Sequence, residues 1–364
     1  MMRTLLLLAT PILLLGMVLS GPASAGWEVI NLHPAGASGS VAMGISGGQQ
    51  AGWAYYRGDF MSHATLWSGT AASWVDLKPA GSSLSEARGA SGGQQVGSAG
   101  VGGFYHASLW SGTAASWVDL NPAGAGWSET YGVSGGQQVG KTGVGGIDHA
   151  SLWSGTAASW VDLNPVAAGN SWAYGVSGGQ QVGRAGVGGT DRASLWSGTA
   201  ASWVDLHPAG AIGSGAYGVS GSQQVGYAYV GHFMSHASLW SGTAASWVDL
   251  NPAGASESCA HGVSGGQQVG YGIVDDLARA SLWSGTAASW VDLHALLPAG
   301  EYSWSYAMGI DVSGTDVWIA GYAYNISQAR NEAMLWHNVV PEPSSLLALA
   351  GGLLALAGVT WRRR

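Results

Sequence analysis

The chain has 364 residues, of which only 9% are charged while 61 are Gly and 20 are Trp, and its formal net charge is −8. An acidic balance argues against nucleic acid or anionic lipid as a partner. Abundant aromatics exclude a disordered chain, and the single cysteine, Cys259, excludes an intramolecular disulfide.

In chain order, Arg3 precedes an apolar run, Thr4 to Gly21, and then Ala23-Ser24-Ala25, a small-x-small site. This is the pattern of a secretory signal peptide over residues 1–25, with cleavage expected after Ala25. With Arg3, the three terminal arginines and Glu342 set aside, residues 26–340 hold eight Lys or Arg against nineteen Asp or Glu. The exported body is therefore still more acidic for its length.

The mature chain opens with "WEVINLHPAG" and then repeats itself. The phrase "LWSGTAASWVDL" starts at Leu66, Leu109, Leu152, Leu195, Leu239 and Leu282, in steps of 43, 43, 43, 44 and 43 residues. A second phrase, "GVSGGQQVG" or a close variant, starts at Gly44, Gly89, Gly132, Gly175, Gly218 and Gly262, with a worn copy from Gly309. A fixed period of this length marks a repeat architecture.

Within one unit, no stretch keeps apolar residues at helical spacing, and Gly recurs too often for a helix. Strands are predicted at Thr130 to Ser134, Gln137 to Thr142, His149 to Trp153 and Ala158 to Leu163. Ser134-Gly135-Gly136-Gln137 reads as a two-residue hairpin. The second Gly becomes Ser222 or Thr315 in other copies, which suggests a type II′ turn. Ser154-Gly155-Thr156-Ala157 is predicted as the second tight connection.

Four short strands in about 43 residues, repeated in series, give an all-β fold, a β-propeller. The opening "WEVINLHPAG" matches the last strand of a unit, and the final "NEAMLWHNVV" matches the third. Seven blades follow, the seventh completed by the N-terminal strand, which leaves no exposed edge. An open solenoid would instead need capping units and no permuted ends.

The recurring tryptophans, such as Trp153 and Trp160, are expected to fill the layers between blades. Asp76, Asp119, Asp162, Asp205, Asp249 and Asp292 recur in one phrase and are expected to satisfy local backbone donors. The constant turns fall on one face of the ring and the differing segments on the other. The aromatics of that variable face are Phe60, Phe104, Tyr105, Trp127, Trp172, Phe233, Tyr302 and Trp304. Flat rings beside Asp, Asn and Ser suit a carbohydrate, apolar faces stacked and hydroxyls hydrogen-bonded.

Unrepeated chemistry is sparse, and catalysis needs a convergent, unique set of groups. Cys259 and His261 form one weak thiol and imidazole pair, and Asp275-Asp276 lacks the spacing of a calcium loop. No cofactor or metal is expected. A lyase or hydrolase acting on extracellular polysaccharide is the alternative to a non-enzymatic binder.

Residues 341–364 close the chain with Pro341-Glu342-Pro343, an uncharged run from Ser344 to Trp361, and Arg362, Arg363 and Arg364. Eighteen helical residues reach roughly 27 Å, enough to cross a bilayer with the arginines on the cytoplasmic side. This tail resembles the PEP-CTERM sorting signal of Gram-negative bacteria. The resemblance implies a transient inner-membrane anchor, processing by an exosortase-type transpeptidase, and a surface or matrix fate beside exopolysaccharide. The repeats also resemble bacterial extracellular repeats named for a His-Ala-Phe triplet. Here the triplet reads His63-Ala64-Thr65, His106-Ala107-Ser108, His149-Ala150-Ser151 and His236-Ala237-Ser238, with Arg192 and Arg279 replacing His elsewhere and Phe missing throughout.

Overall fold

In the third blade, the strands are Ser128–Ser134, Gln137–Val144, Ile147–Trp153 and Val161–Asp162, hydrogen-bonded in that order as an antiparallel sheet. The computed structural model describes residues 26–56, 58, 61–231 and 234–339. These residues build seven four-stranded sheets, and the seventh has the order Gly26–Asn31, Arg330–Val339, Asp316–Asn325, Tyr302–Ser313. The N-terminal strand thus completes the last blade. The fold is the predicted seven-bladed propeller, closed by joining its two ends.

Local chemistry explains each turn. Gly135 and Gly136 both take positive φ, +57° and +77°, which is the signature of a type I′ turn and differs from the expected II′ form. Gly221 and Gly314 have φ of +56° and +61°, while Ser222 and Thr315 do not enter that region, so these two copies follow the II′ reading.

The fourth strand is shorter than expected. Ala157–Ser159 is a 3₁₀ turn, and only Val161–Asp162 pair. The cause is Ser159, whose hydroxyl donates to the Thr156 carbonyl at 2.6 Å and accepts from the Ser154 amide at 2.8 Å. That side chain winds the backbone where an extended run was predicted, as a serine can when it offers local hydrogen bonds. The connection after Trp153 is accordingly a clipped 3₁₀ turn rather than a tight hairpin.

The two constant turns are tied together by the buried Gln138. Its Oε1 accepts from the Gly155 amide at 2.7 Å and its Nε2 donates to the Gly136 carbonyl at 2.8 Å. In the last blade, Val317 occupies the glutamine's position.

Neighbouring blades meet through the repeated tryptophans. Trp196 of the fourth blade is fully buried among Val139, Ala150, Leu152 and Leu163 of the third, with Ala173, Val176 and Trp203 of its own. Trp160 is half-buried against the equivalent cluster and donates its Nε1 to Ser151 at 2.9 Å. A polar clasp lies beside each apolar layer. The Ala150 amide donates to Ser171 Oγ of the next blade at 2.8 Å, and Ser171 Oγ donates to Asn164 Oδ1 at 2.5 Å. The same clasp closes the ring, where the Ala333 amide reaches Ser40 Oγ at 2.9 Å.

Ser171 is fully buried, so Ser171→Ala leaves the Ala150 amide without a partner. The expected loss is about 1–3 kcal/mol, measured by denaturant unfolding of residues 26–339. A surface control such as Ser154→Ala should stay within about 0.5 kcal/mol.

Candidate functional site: an aromatic funnel on the propeller axis

The first strand of every blade carries a β-bulge, placed between Ala42 and Gly44, Ala87 and Gly89, Thr130 and Gly132, and at the equivalent points in the other blades. The bulged residues are Met43, Arg88, Tyr131, Tyr174, Tyr217, His261 and Met308. An extra residue in a strand is left unpaired and its side chain is re-aimed. Here all seven converge around one cavity of about 400 Å³.

The glycine after each bulge lets the inner strands approach. A Cβ on Gly132 would lie 2.7 Å from the Tyr174 carbonyl oxygen of the next blade, and one on Gly175 would lie 2.6 Å from that of Tyr217. Each inner strand runs from the variable side to the constant side, so the bulged residues stand on the variable side of this glycine ring. They form a funnel.

Rings and ion pairs share one sector of the funnel. Tyr131 and Tyr174 have ring centroids 5.2 Å apart, Tyr174 and Tyr217 5.0 Å, and Tyr217 and His261 5.2 Å. Tyr271 and Tyr306 continue the belt at 4.9 Å. Burial pushes the hydroxyls of Tyr131, Tyr174 and Tyr217 above their ordinary range, so they act as neutral hydrogen-bonding groups. Beside these rings, Arg88 pairs with Glu86 at 3.0 Å and Glu129 at 3.3 Å and lies over the Tyr131 ring. Lys141 bridges Glu129 at 3.3 Å and Asp148 at 3.2 Å, and Arg184 pairs with Asp191 at 2.9 Å.

Desolvation lowers His261 to about 4, so the ring is neutral at pH 7. A histidine with a depressed folded value binds fewer protons than the unfolded chain between its two values, so stability falls as pH drops from about 6.5 towards 4. His33 and His294, also lowered by burial, share that sign. His261→Phe should flatten the pH dependence of denaturant midpoints in that window, and an unchanged slope would contradict the assignment.

Trp127 and Trp172 come together on one carboxylate. Trp127 Nε1 donates to Asp148 Oδ1 at 2.7 Å, and Trp172 Nε1 to Oδ2 at 3.1 Å. One face of each ring is occupied, Trp127 by Gly143, where a Cβ would meet the indole, and Trp172 by the Arg184 guanidinium at 4.1 Å. Trp304 stacks on Tyr324 at 4.1 Å. Phe104 and Tyr105, 57% and 42% exposed, sit apart on the hairpin that begins the third strand of the second blade. Phe60 and Phe233 lie outside the described residues.

The repeated acidic residues do more than was expected of them. Asp162 Oδ1 accepts from the Asn164 amide at 2.8 Å, as predicted, while Oδ2 takes His149 Nδ1 at 2.8 Å. Where Arg192 replaces His, it donates to Asp205 at 2.7 Å, so the pair survives the change. Asp275 and Asp276 have φ of 51° and 62° and form the two central residues of an exposed hairpin turn. Among the described residues, no group of three His, Cys, Asp or Glu is placed to hold a metal ion. Burial raises the Cys259 thiol, whose polar contact is the Ala260 carbonyl at 3.8 Å, an environment that keeps sulfur protonated.

Residues 339–364 match the family model described as "PEP-CTERM protein-sorting motif". The chain ends in a PEP-CTERM sorting tail. The motif implies export, exosortase processing and membrane-associated sorting to the surface. The PEP-CTERM tail itself, with Pro341, Glu342, Pro343 and the arginines Arg362, Arg363 and Arg364, lies outside the described residues, as does the segment expected to be a signal peptide, with Ala23 and Ala25. Among the described residues, no helix is long and apolar enough to cross a membrane.

No curated protein matches the chain. Among solved structures, it is similar to a prolyl endopeptidase at 11% identity and TM-score 0.54, covering 85% of this chain and 51% of that one. A puromycin hydrolase matches at 12% identity and TM-score 0.52, covering 80% and 53%. A Mycobacterium tuberculosis puromycin-hydrolyzing peptidase matches at 12% and 0.51, covering 83% and 54%. The chain spans about half the length of these proteins. At such identity the likeness shows the propeller fold alone.

Proposed function

We propose that this chain is a secreted, non-enzymatic propeller that binds exopolysaccharide through its funnel face after its PEP-CTERM tail has sorted it to the cell surface or biofilm matrix. One observation carries the reading. In repeats whose turns and third strands agree almost letter for letter, the residue before the bulge glycine runs Met, Arg, Tyr, Tyr, Tyr, His and Met around the axis. These inner-strand positions carry rings and charges that face one cavity. Rings interleaved with ion-paired polar groups offer a sugar both stacking faces and hydrogen-bonding partners.

Deletion of residues 341–364 tests the sorting half. The shortened protein should leave the surface and matrix fractions and accumulate where the signal peptide alone delivers it. An unchanged distribution on immunoblots of fractionated cells would sink this part of the proposal.

The second reading is a lyase or hydrolase acting on the same polymer, and it rests on the charged groups beside the rings, Glu86, Arg88, Glu129 and Lys141. Depolymerisation by the purified propeller, abolished by Glu129→Gln, would favour it over simple binding.

A further inference from the structure

We infer that the seam between the seventh and first blades holds a subsite for one or two neutral sugar units of the polymer. The inference rests on the saccharide-binding reading above and deepens it. A cavity of about 470 Å³ opens here, lined by Met43, Trp53, Tyr55, Tyr322, Tyr324 and Asn331 among others. Met43 also lines the axial cavity, so the two spaces are neighbours on the same face.

Three features suit a sugar. The first is a pair of buried polar atoms without partners, the Trp53 Nε1 donor and the Asn331 Oδ1 acceptor. Core tryptophans such as Trp196 also leave Nε1 without a partner, but Trp53 and Asn331 in addition line a cavity, where one ligand can offer both an acceptor and a donor. A hydroxyl does. The second is a set of braced rings, with Tyr324 stacked on Trp304 at 4.1 Å and Tyr322 on Tyr306 at 5.1 Å. Rings held by their neighbours lose little freedom when a ligand stacks on them. The third is charge. Arg330, at the cavity's edge, is neutralised by Glu332 at 2.7 Å, so no free charge selects an ion.

The rings of this seam recur in the fifth blade, which carries Tyr227 and Tyr229 at the positions of Trp53 and Tyr55, and are absent from three others. At the position of Tyr55, the second, third and fourth blades carry Gly100, Gly143 and Gly186, and Ser83 and Trp127 occupy the space beside the first two.

The test uses the propeller, residues 26–339, and oligosaccharides released by partial hydrolysis of the producing cell's exopolysaccharide, titrated by calorimetry. Asn331→Leu and Tyr55→Leu should each weaken binding about tenfold or more, with melting temperatures close to the parent's. Tyr217→Ala, in the axial funnel, reports separately on the broader reading. Unchanged affinity in both seam variants, together with weakened binding by Tyr217→Ala, would overturn the seam subsite and leave the proposed function standing. No binding by the parent would overturn both. If Asn331→Leu fails to fold, Tyr55→Leu decides alone.

Discussion

Replacing Trp196 by Ala is expected to destabilise the propeller by about 3–5 kcal/mol, the range for removing a large aromatic side chain from a core. The indole is fully buried between two blades and touches side chains of both. No water-filled alternative awaits the space, because the walls are Val, Leu and Ala. Trp196 Nε1 is itself buried without a partner, so the loss comes from packing rather than from a broken hydrogen bond. Trp196→Phe should therefore cost much less than Trp196→Ala, since it keeps a ring and deletes an unsatisfied donor. Equal losses in the two variants, measured by denaturant unfolding, would show that this packing argument is wrong.

Gly140→Ala is expected to prevent native packing of the third blade, a larger effect than any surface substitution. A Cβ at Gly140 would collide with the Glu129 carbonyl oxygen on the paired inner strand. Its partner cannot retreat, since that strand carries the bulge and packs against the next blade. Overpacking a buried position commonly costs about 1–3 kcal/mol, and a clash with backbone lies at or beyond the upper end. Gly126 supplies the control, because a Cβ there meets nothing within 4 Å, so Gly126→Ala should stay within about 0.5 kcal/mol. A folded Gly140→Ala protein with parental stability would contradict the strand geometry.

Much of this architecture is legible in the sequence because repetition multiplies weak signals. One Ser-Gly-Gly-Gln is an ordinary turn, but seven glycines at the same beat fix the hairpin, and the permuted phrases at the two ends fix the closing strand. The fourth strand is harder to read. Val161 and Asp162 look like the middle of an extended run, and only the Ser159 hydroxyl, folded back on Thr156, winds the preceding residues into a 3₁₀ turn.

The funnel is illegible for a different reason. Strand reading assumes that side chains alternate between two faces, and a bulge inserts one residue that belongs to neither. Tyr131, Tyr174 and Tyr217 look like interior strand positions until the glycine after each is seen to mark the bulge. A signal was available in the changing residue before that otherwise repeated glycine. The chemistry of Trp127 and Trp172 was equally hidden, because nothing in their spacing brings both indoles to Asp148, one from a connection and one from a strand of the next blade.

The same geometry separates two roles within each unit. Gln138 and Ser159 are committed to clips on the constant side and Ser171 to the clasp between blades, and their equivalents recur nearly unchanged. The bulged residue is tied to no ladder hydrogen bond, so it can vary without disturbing the sheet. Seven such positions around one axis allow a repetitive scaffold to carry a site that is not repetitive.

The most direct measurement of the central claim is calorimetric or surface-based binding of residues 26–339 to the producing cell's exopolysaccharide, compared with the Tyr174→Ala, Tyr217→Ala double variant. The account predicts saturable binding by the parent and its loss in the folded double variant. Absence of binding by the parent, or equal binding by the variant, would contradict it.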